Sequence, residues 1–354
     1  MQVILDGISS LSKAVKDLSC KKVLLVAGRS FESLGIRADV ESLDVLEIVR
    51  FSGFTPNPLI EQAKDGIKLF KSSGCDSILA VGGGSAIDVA KCIKLGVLGK
   101  ESVPFIAIPT TAGSGSESTH NAVVYKDGVK QSVYDDAMLP DVAILEPSVL
   151  NNLPVYQKKC TMVDALCQGM EAWWSVNSTT ESKEYSRKAV ELIMANWRKY
   201  IFEGDAAATA EIMLASNYAG RAINIAQTTA AHAMSYKITQ MFDFPHGHAV
   251  AVCLPEIWDY MLANPDKCSD PRGSAYLKAV FADIASSLGA TDAPEAVLVF
   301  RAMMKELELG LPASANLQAD LDTLASTVNP VRLRNNPVAM SPEVCRMIYS
   351  KVVL

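Results

Sequence analysis

The stretch that decides the fold is Ser77-Ile-Leu-Ala-Val-Gly-Gly-Gly-Ser-Ala-Ile-Asp-Val-Ala-Lys91. Ser77 to Val81 is a short apolar run of the kind that forms a buried strand. It enters three glycines, Gly82, Gly83 and Gly84, and then the helical pattern of Asp88 to Leu98. Without a Cβ, the glycine backbone can approach a pyrophosphate closely. A helix amino terminus just beyond offers unpaired N–H groups and a positive dipole end. Ser85 is placed to cap that helix or to donate to phosphate. A plain strand-to-helix turn is the competing reading of these residues.

Working outward, a second loop follows another strand. Pro104 to Ile108 is apolar, and Pro109-Thr-Thr-Ala-Gly-Ser-Gly-Ser-Glu117 then packs four hydroxyls and two glycines into nine residues. That density of hydroxyls suits a ribose and phosphates, and a flexible Ser/Gly loop is the bland alternative. The first loop departs from G-x-G-x-x-G, so a dinucleotide site here differs from the usual one. Further strands are expected at Lys22–Ala27, Val45–Phe51 and Val142–Leu145, with a helix over Glu61–Ser72. Strands alternating with helices imply an α/β domain with a doubly wound parallel sheet. Beyond Pro154 the β-branched runs fade. Long segments rich in Ala, Met and Leu predict helices at 161–174, 181–200, 206–228, 275–288 and 294–309. The loop 147–154 reads as a hinge. The expected organisation is a dinucleotide-binding α/β domain over 1–150 and an all-α domain over 151–354.

The composition is that of a globular chain: 49% hydrophobic and 20% charged among 354 residues, with net charge −6. Without a basic block, nucleic acid is an unlikely partner class. No apolar run reaches the roughly 18 residues of a membrane span, so no membrane partner is expected. Eight scattered cysteines without a CxxC pair read as free buried thiols of a reducing compartment. The amino terminus lacks the pattern of a secretory signal, so the chain is expected to be cytoplasmic.

Three of the four histidines lie between residues 232 and 248. Asp164 and Gln168, at i and i+4, share one face of a predicted helix. His232 lies in an Ala-rich helical segment over 228–236, and His246 follows Pro245. A carboxylate with imidazoles can bind a divalent cation. Read singly, Asp164 is equally a surface charge and His246 a turn residue.

The motifs GGGSAIDVAK (82–91), PTTAGSGSE (109–117), LPDVAILEP (139–147), DALCQGME (164–171), HAMSY (232–236) and PHGH (245–248) together resemble the iron-containing (group III) alcohol dehydrogenases. The likeness runs from about Lys22 to the carboxyl end. It implies an α/β domain that binds NAD(P), a helical domain that binds metal, and an active site in the cleft between them. It implies cofactor contacts from Gly82, Gly83, Gly84, Ser85, Asn57, Asp88, Thr110, Thr111, Ser114 and Lys130. It makes Asp164, His232 and His246 metal ligands, with Gln168 where the family carries a fourth, histidine ligand. A neutral amide oxygen is a weaker ligand for Fe²⁺ or Zn²⁺. Tyr236 stands where the family has a relay histidine, so Tyr236, His248 or water is expected to protonate the alkoxide. His120, just after the second loop, is expected to line the cleft without being a ligand.

After the first strand many family members carry an aspartate that repels a ribose 2′-phosphate. Here the run is Gly28-Arg29-Ser30. Arginine suits a phosphate through its two-pronged fork, so NADPH is expected over NADH. The combination of DALCQ (164–168), WWSVNST (173–179), AHAMSYKIT (231–239) and PHGHAVA (245–251) most resembles the branch that reduces phosphonoacetaldehyde to 2-hydroxyethylphosphonate. A phosphonate dianion needs cations, and Arg332, Arg334 and Lys237 are the candidates. The resemblance also implies a homo-oligomer, commonly a dimer. Two other classes remain open. One is a lyase of the dehydroquinate synthase type, which would need a richer Lys/Arg/His set than four histidines supply. The other is a non-catalytic dinucleotide-binding protein with a decayed metal site, against which the intact loops and three ligands weigh.

Overall fold

The structure, a computed structural model, describes residues 2–43, 47–99 and 102–354. Contacts divide the chain into two units. The first comprises Met1–Pro154 with Phe202–Gly220, and the second Val155–Ile201 with Arg221–Leu354.

Among the described residues the first unit holds eight strands: β1 (Val3–Asp6), β2 (Lys22–Ala27), β3 (Glu47–Phe51), β4 (Ser77–Gly82), β5 (Phe105–Pro109), β6 (Asn121–Lys126), β7 (Val129–Tyr134) and β8 (Val142–Leu145). Helices α1 (Leu11–Asp17), α2 (Arg37–Glu41), α3 (Ile60–Ser73) and α4 (Gly84–Val97) alternate with them. Six strands form a sheet in the order β1-β8-β5-β4-β2-β3, every adjacent pair parallel. This is the parallel sheet expected from the alternating pattern. Val45 and Leu46, the first residues of the expected third strand, lie outside the described residues.

Strand β4 is buried at every position, as a central parallel strand must be. Leu24, Val26, Ile78, Ala80, Ile87 and Ile93 share one core with Phe51, Phe70 and Phe105. Each fully buried aliphatic side chain there contributes roughly 1.5–3 kcal/mol. The parallel register pairs Ala27 with Val81 and Gly82 with Pro109. Three strands therefore end side by side, and the loops at 28, 83 and 110 leave the sheet together at its carboxyl edge. Ligands of open α/β sheets bind outside that edge.

Strands β6 and β7 make a separate antiparallel hairpin that the strand–helix alternation did not suggest. Its signal is present: Asp127-Gly128 is a two-residue hairpin turn, and both residues have positive φ, 51° and 75°, as a type I′ turn requires.

The remaining helices are α5 (Val155–Trp174), α6 (Thr180–Arg198), α7 (Ala206–Ala226), α8 (Ala230–Phe242), α9 (His246–Ala263), α10 (Ser274–Ser287), α11 (Ala293–Glu306), α12 (Leu317–Ser326), α13 (Pro330–Leu333) and α14 (Pro342–Val352). Helix α7, expected over 206–228, stops at Ala226 because Gln227 takes a positive φ of 60°. Its first residues, to Gly220, group with the first unit. Within the second unit α5 packs against α6 and α9, and α8 against α9. Helix α5 is buried along nearly its whole length, the mark of a central helix. It nevertheless carries Asp164, Gln168 and Glu171, exposed by only 6%, 4% and 0%. Burying such groups costs several kcal/mol unless they are partnered or bind a cation.

Candidate active site

The first unit builds a cradle from the two glycine-rich loops. Helix α4 starts at Gly84 with Gly83 as its cap residue, and no side chain caps it. Ser85 is thus inside the first turn, and the N–H groups of Gly84 and Ser85 have no intrahelical partners. The second loop folds onto the first: Thr110 N donates to Gly82 O at 3.0 Å. A Cβ on Gly83 would sit 3.2 Å from Thr111 Oγ1, and one on Gly84 3.0 Å from Ser114 Oγ. The backbone is bare where a phosphate would be received, and hydroxyls line the same spot. The donor set fits a pyrophosphate.

Beneath the cradle lies a charged network that residue types alone did not reveal. Lys91 is fully buried, and its three N–H donors meet Asn121 O at 2.7 Å, Thr119 Oγ1 at 2.8 Å and Ser116 Oγ at 3.0 Å. Ser116 Oγ in turn donates to Asp88, whose other oxygen accepts from Val123 N at 2.9 Å. Burial pushes the Lys91 ammonium down to about 8, against the pull of Asp88 and Glu117. Burial raises the Asp88 carboxyl, which the charges of Lys91 and Lys130 partly offset. Both oxygens of Asp88, expected to touch the cofactor, are thus engaged by the loop, and Asp88 organises the segment 116–123. Lys130 lies opposite Tyr125 in the hairpin. Asn57 sits exposed in the loop before α3, with a positive φ of 54°. Gly28 follows β2, its carbonyl accepting from Arg50 at 3.2 Å, while Arg29 and Ser30 are exposed.

In the second unit, Asp164, His232 and His246 converge, each offering one ligand atom within 4.8 Å of the others. Asp164 Oδ1 and His232 Nε2 are buried, 3.3 Å apart, and neither makes a well-formed hydrogen bond. Two such atoms, face to face and without a donor between them, fit a cation. Gln168, one turn beyond Asp164 on α5, is also buried. His246 opens α9, and its ring stands 5.4 Å from that of His232. Ser235 Oγ donates to His232 O at 2.9 Å and lies 3.4 Å from His246 Nδ1. With its proton used on the carbonyl, that oxygen accepts from Nδ1–H, so Nε2 is the His246 atom that can be offered to a cation. Burial alone would lower the His232 imidazolium, but Glu171 and Asp164 outweigh it and lift it to about 9. The carboxylates favour a positive charge at this point.

Residues 5–147 match the family model of the iron-containing alcohol dehydrogenases, and residues 159–353 match that family's carboxyl-terminal domain model. The chain belongs to the iron-containing alcohol dehydrogenase family. It is 32% identical over 340 residues to a 1,3-propanediol dehydrogenase of Citrobacter freundii, covering 89% of this chain and 83% of that one. It is also 32% identical over 327 residues to the phosphonoacetaldehyde reductase of Streptomyces viridochromogenes, covering 85% and 81%. Among solved structures, a 1,3-propanediol oxidoreductase superposes with a TM-score of 0.87 at 26% identity, over 99% of this chain and 97% of the other. An iron-containing alcohol dehydrogenase from Thermococcus thioreducens gives the same TM-score and identity, over 99% and 98%. This iron-containing alcohol dehydrogenase is therefore an oxidoreductase, and its family binds NAD(H) and a divalent metal.

Other expected site residues of this iron-containing alcohol dehydrogenase are placed as follows. Tyr236 stacks on His246, with ring centroids 5.8 Å apart and planes 21° apart. His248 is buried beneath Phe244, with ring centroids 4.3 Å apart. Its Nε2 donates to Gly310 O at 2.8 Å, so its Nδ1 accepts from Tyr156 OH at 2.9 Å. Both nitrogens are committed to the helical unit's own frame. His120 pairs with Asp136 at 3.1 Å at the base of the hairpin. Arg332 is half-buried on α13, Arg334 is exposed at its end, and Lys237 follows Tyr236 on α8. Asn335, beside them, donates to Gln227 Oε1 at 3.0 Å and Thr228 O at 3.1 Å, which ties this basic segment to the loop that leads into α8. No helix among the described residues is long and apolar enough to cross a membrane.

Proposed function

We propose that the chain reduces phosphonoacetaldehyde to 2-hydroxyethylphosphonate, using NADPH and a divalent metal, Fe²⁺ or Zn²⁺. The observation that carries this reading is the convergence of buried Asp164 and His232 with half-buried His246. With Gln168 these would hold the metal. The dinucleotide would rest on Gly82, Gly83, Gly84, Ser85, Thr110, Thr111 and Ser114, with Asn57 and Lys130 flanking it. When bound, the metal supplies a Lewis acid for the carbonyl oxygen and the dinucleotide supplies the hydride.

The chain's own residues then have three tasks. Tyr236, stacked on His246, delivers the proton to the product oxygen. It is preferred to His248, whose nitrogens are both in use. Arg332, Arg334 and Lys237 neutralise the phosphonate. Arg29 takes the 2′-phosphate of NADPH, since it is exposed directly after β2 with no acid beside it in the Gly28-Arg29-Ser30 run. The 32% identity to a phosphonoacetaldehyde reductase supports the substrate. Equal identity to a 1,3-propanediol dehydrogenase supports a second reading, in which the substrate is a short neutral hydroxyaldehyde.

The deciding experiment compares kcat/KM for phosphonoacetaldehyde with that for an uncharged aldehyde of equal length, on protein loaded with Fe²⁺, Zn²⁺, Mn²⁺ or Ni²⁺, with each cofactor. A preference for the phosphonate of tenfold or more, lost in Arg332→Ala, is expected. Equal turnover of the neutral aldehyde selects the second reading. Arg29→Asp is expected to lower kcat/KM for NADPH by about tenfold, roughly 1.4 kcal/mol, and to spare NADH. Comparable use of both cofactors by the unaltered enzyme removes the NADPH assignment.

A further inference from the structure

We propose that Glu171 is a positioning residue that fixes the tautomer and aim of His232 for the metal, an inference that rests on the metal assignment above. Asp164, Gln168 and Glu171 fall at i, i+4 and i+7 of α5, on one face. Asp164 belongs to the ligand cluster, and Glu171 reaches His232 from behind it. It is fully buried. Its Oε1 accepts from Thr229 Oγ1 at 2.7 Å, Ala231 N at 2.9 Å, Thr229 N at 3.0 Å and His232 N at 3.4 Å. Its Oε2 bonds His232 Nδ1. Trp174 Nε1 holds the Thr229 hydroxyl from the other side at 2.9 Å.

Thr229 does not cap α8 with its own side chain, so the carboxylate from α5 serves the first N–H groups of α8 instead. Donors from the start of α8 thus converge on this one carboxylate. With Nδ1–H of His232 donating to Oε2, Nε2 is the ring nitrogen left to offer a lone pair to a cation. Nε2 is the atom that faces Asp164 Oδ1 at 3.3 Å. One side chain therefore starts the helix and sets which nitrogen of its third residue is a ligand. Metal-bound histidines are commonly oriented by such a carboxylate, whose loss weakens metal binding by 10–100-fold.

Glu171→Gln tests this with almost no change of shape. The amide oxygen stays with the donors of α8, since the reversed amide would set its NH₂ against all of them. The NH₂ then faces Nδ1 of His232, which must become an acceptor, and the proton moves to Nε2, where it blocks ligation. Apparent Zn²⁺ affinity by chelator competition, the absorption bands of the Co²⁺-loaded protein and the thermal midpoint of the metal-free protein would be measured together. Thr229→Ala, which loosens the cap but keeps the Glu171–His232 pair, serves as the structural control. Glu171→Gln is expected to weaken Zn²⁺ binding 10–100-fold and to alter the Co²⁺ bands. Thr229→Ala is expected to lower the thermal midpoint and to bind Zn²⁺ within threefold of the unaltered chain. If Glu171→Gln does not fold, Glu171→Asp, which withdraws the carboxylate by one methylene, is read in the same way. Zn²⁺ affinity within threefold in the Glu171 variant overturns the proposal, as does an equal loss in Thr229→Ala. An unaltered chain that binds no Zn²⁺, Co²⁺ or Fe²⁺ overturns the metal assignment itself, and this proposal with it.

Discussion

At the scale of single residues, Gly247 shows how tightly the ligand cluster is built. A Cβ there would lie 2.0 Å from Cys160 O and 2.7 Å from Asp164 Cβ. Only glycine lets α9 begin flush against α5, and this contact brings His246 toward Asp164. Gly247→Ala must push the two helices apart at the point where both carry a candidate ligand. The expected result is a stability loss of about 1–3 kcal/mol, measured by urea unfolding, with Zn²⁺ affinity reduced at least tenfold. Unchanged affinity would mean that His246 is not a ligand. Asp164 and Gln168 share a helix face by their spacing, whereas His232 and His246 entered as candidate ligands through the family resemblance. Glu171 was less legible. It stands at i+7 from Asp164 in the same motif, but a carboxylate on a helix reads as a surface charge until burial is known.

At the scale of elements, the cradle depends on Lys91 fastening α4 to the segment 116–121. The consequence is a pH effect whose sign can be worked out. Folding lowers the Lys91 value to about 8 from the ordinary 10.5. Between these values the unfolded chain keeps a proton that the folded chain has lost. Unfolding then takes up a proton, so the Lys91 contribution to stability rises with pH across that window. Lys91→Met lacks this term. Urea unfolding at pH 7.5 and 9.5 is expected to show the unaltered chain gaining on the variant at the higher pH, and a constant difference would remove the assignment. Elements were read well where one period dominates. Ser77–Gly82 and helices α5, α6, α7, α10 and α11 follow from apolar patterning. The β6–β7 hairpin was missed because Asp127-Gly128 stands in a polar stretch, and α9 because Pro-His-Gly-His reads as a turn. In the fold, Pro245 precedes the first residue of α9 and the glycine packs against α5.

At the scale of the whole molecule, the eight cysteines are all free, six of them buried. Burial pushes Cys75 and Cys345 up to about 11, and Cys92 and Cys160 up to about 12. It raises Cys20, Cys167 and Cys253 as well. The thiolate is the reactive form, so these seven are expected to react slowly with a disulfide reagent at pH 8. Half-buried Cys268 is expected to react first, giving at most one fast thiol in the native protein and eight after denaturation. More than one fast thiol would show that a unit opens readily. The sequence by itself determined the fold class of each half and, through its motifs, the family, because local periodicity and glycine placement are properties of neighbouring residues. Only the tertiary structure decided which polar groups are buried and what faces them. That Asp88 serves Ser116 and Val123, that His248 is committed to Tyr156 and Gly310, and that Glu171 stands behind His232 are contacts between residues 28 to 92 positions apart. The cost of burying a polar group is met by partners distant in the chain, and helical or strand spacing carries no record of them.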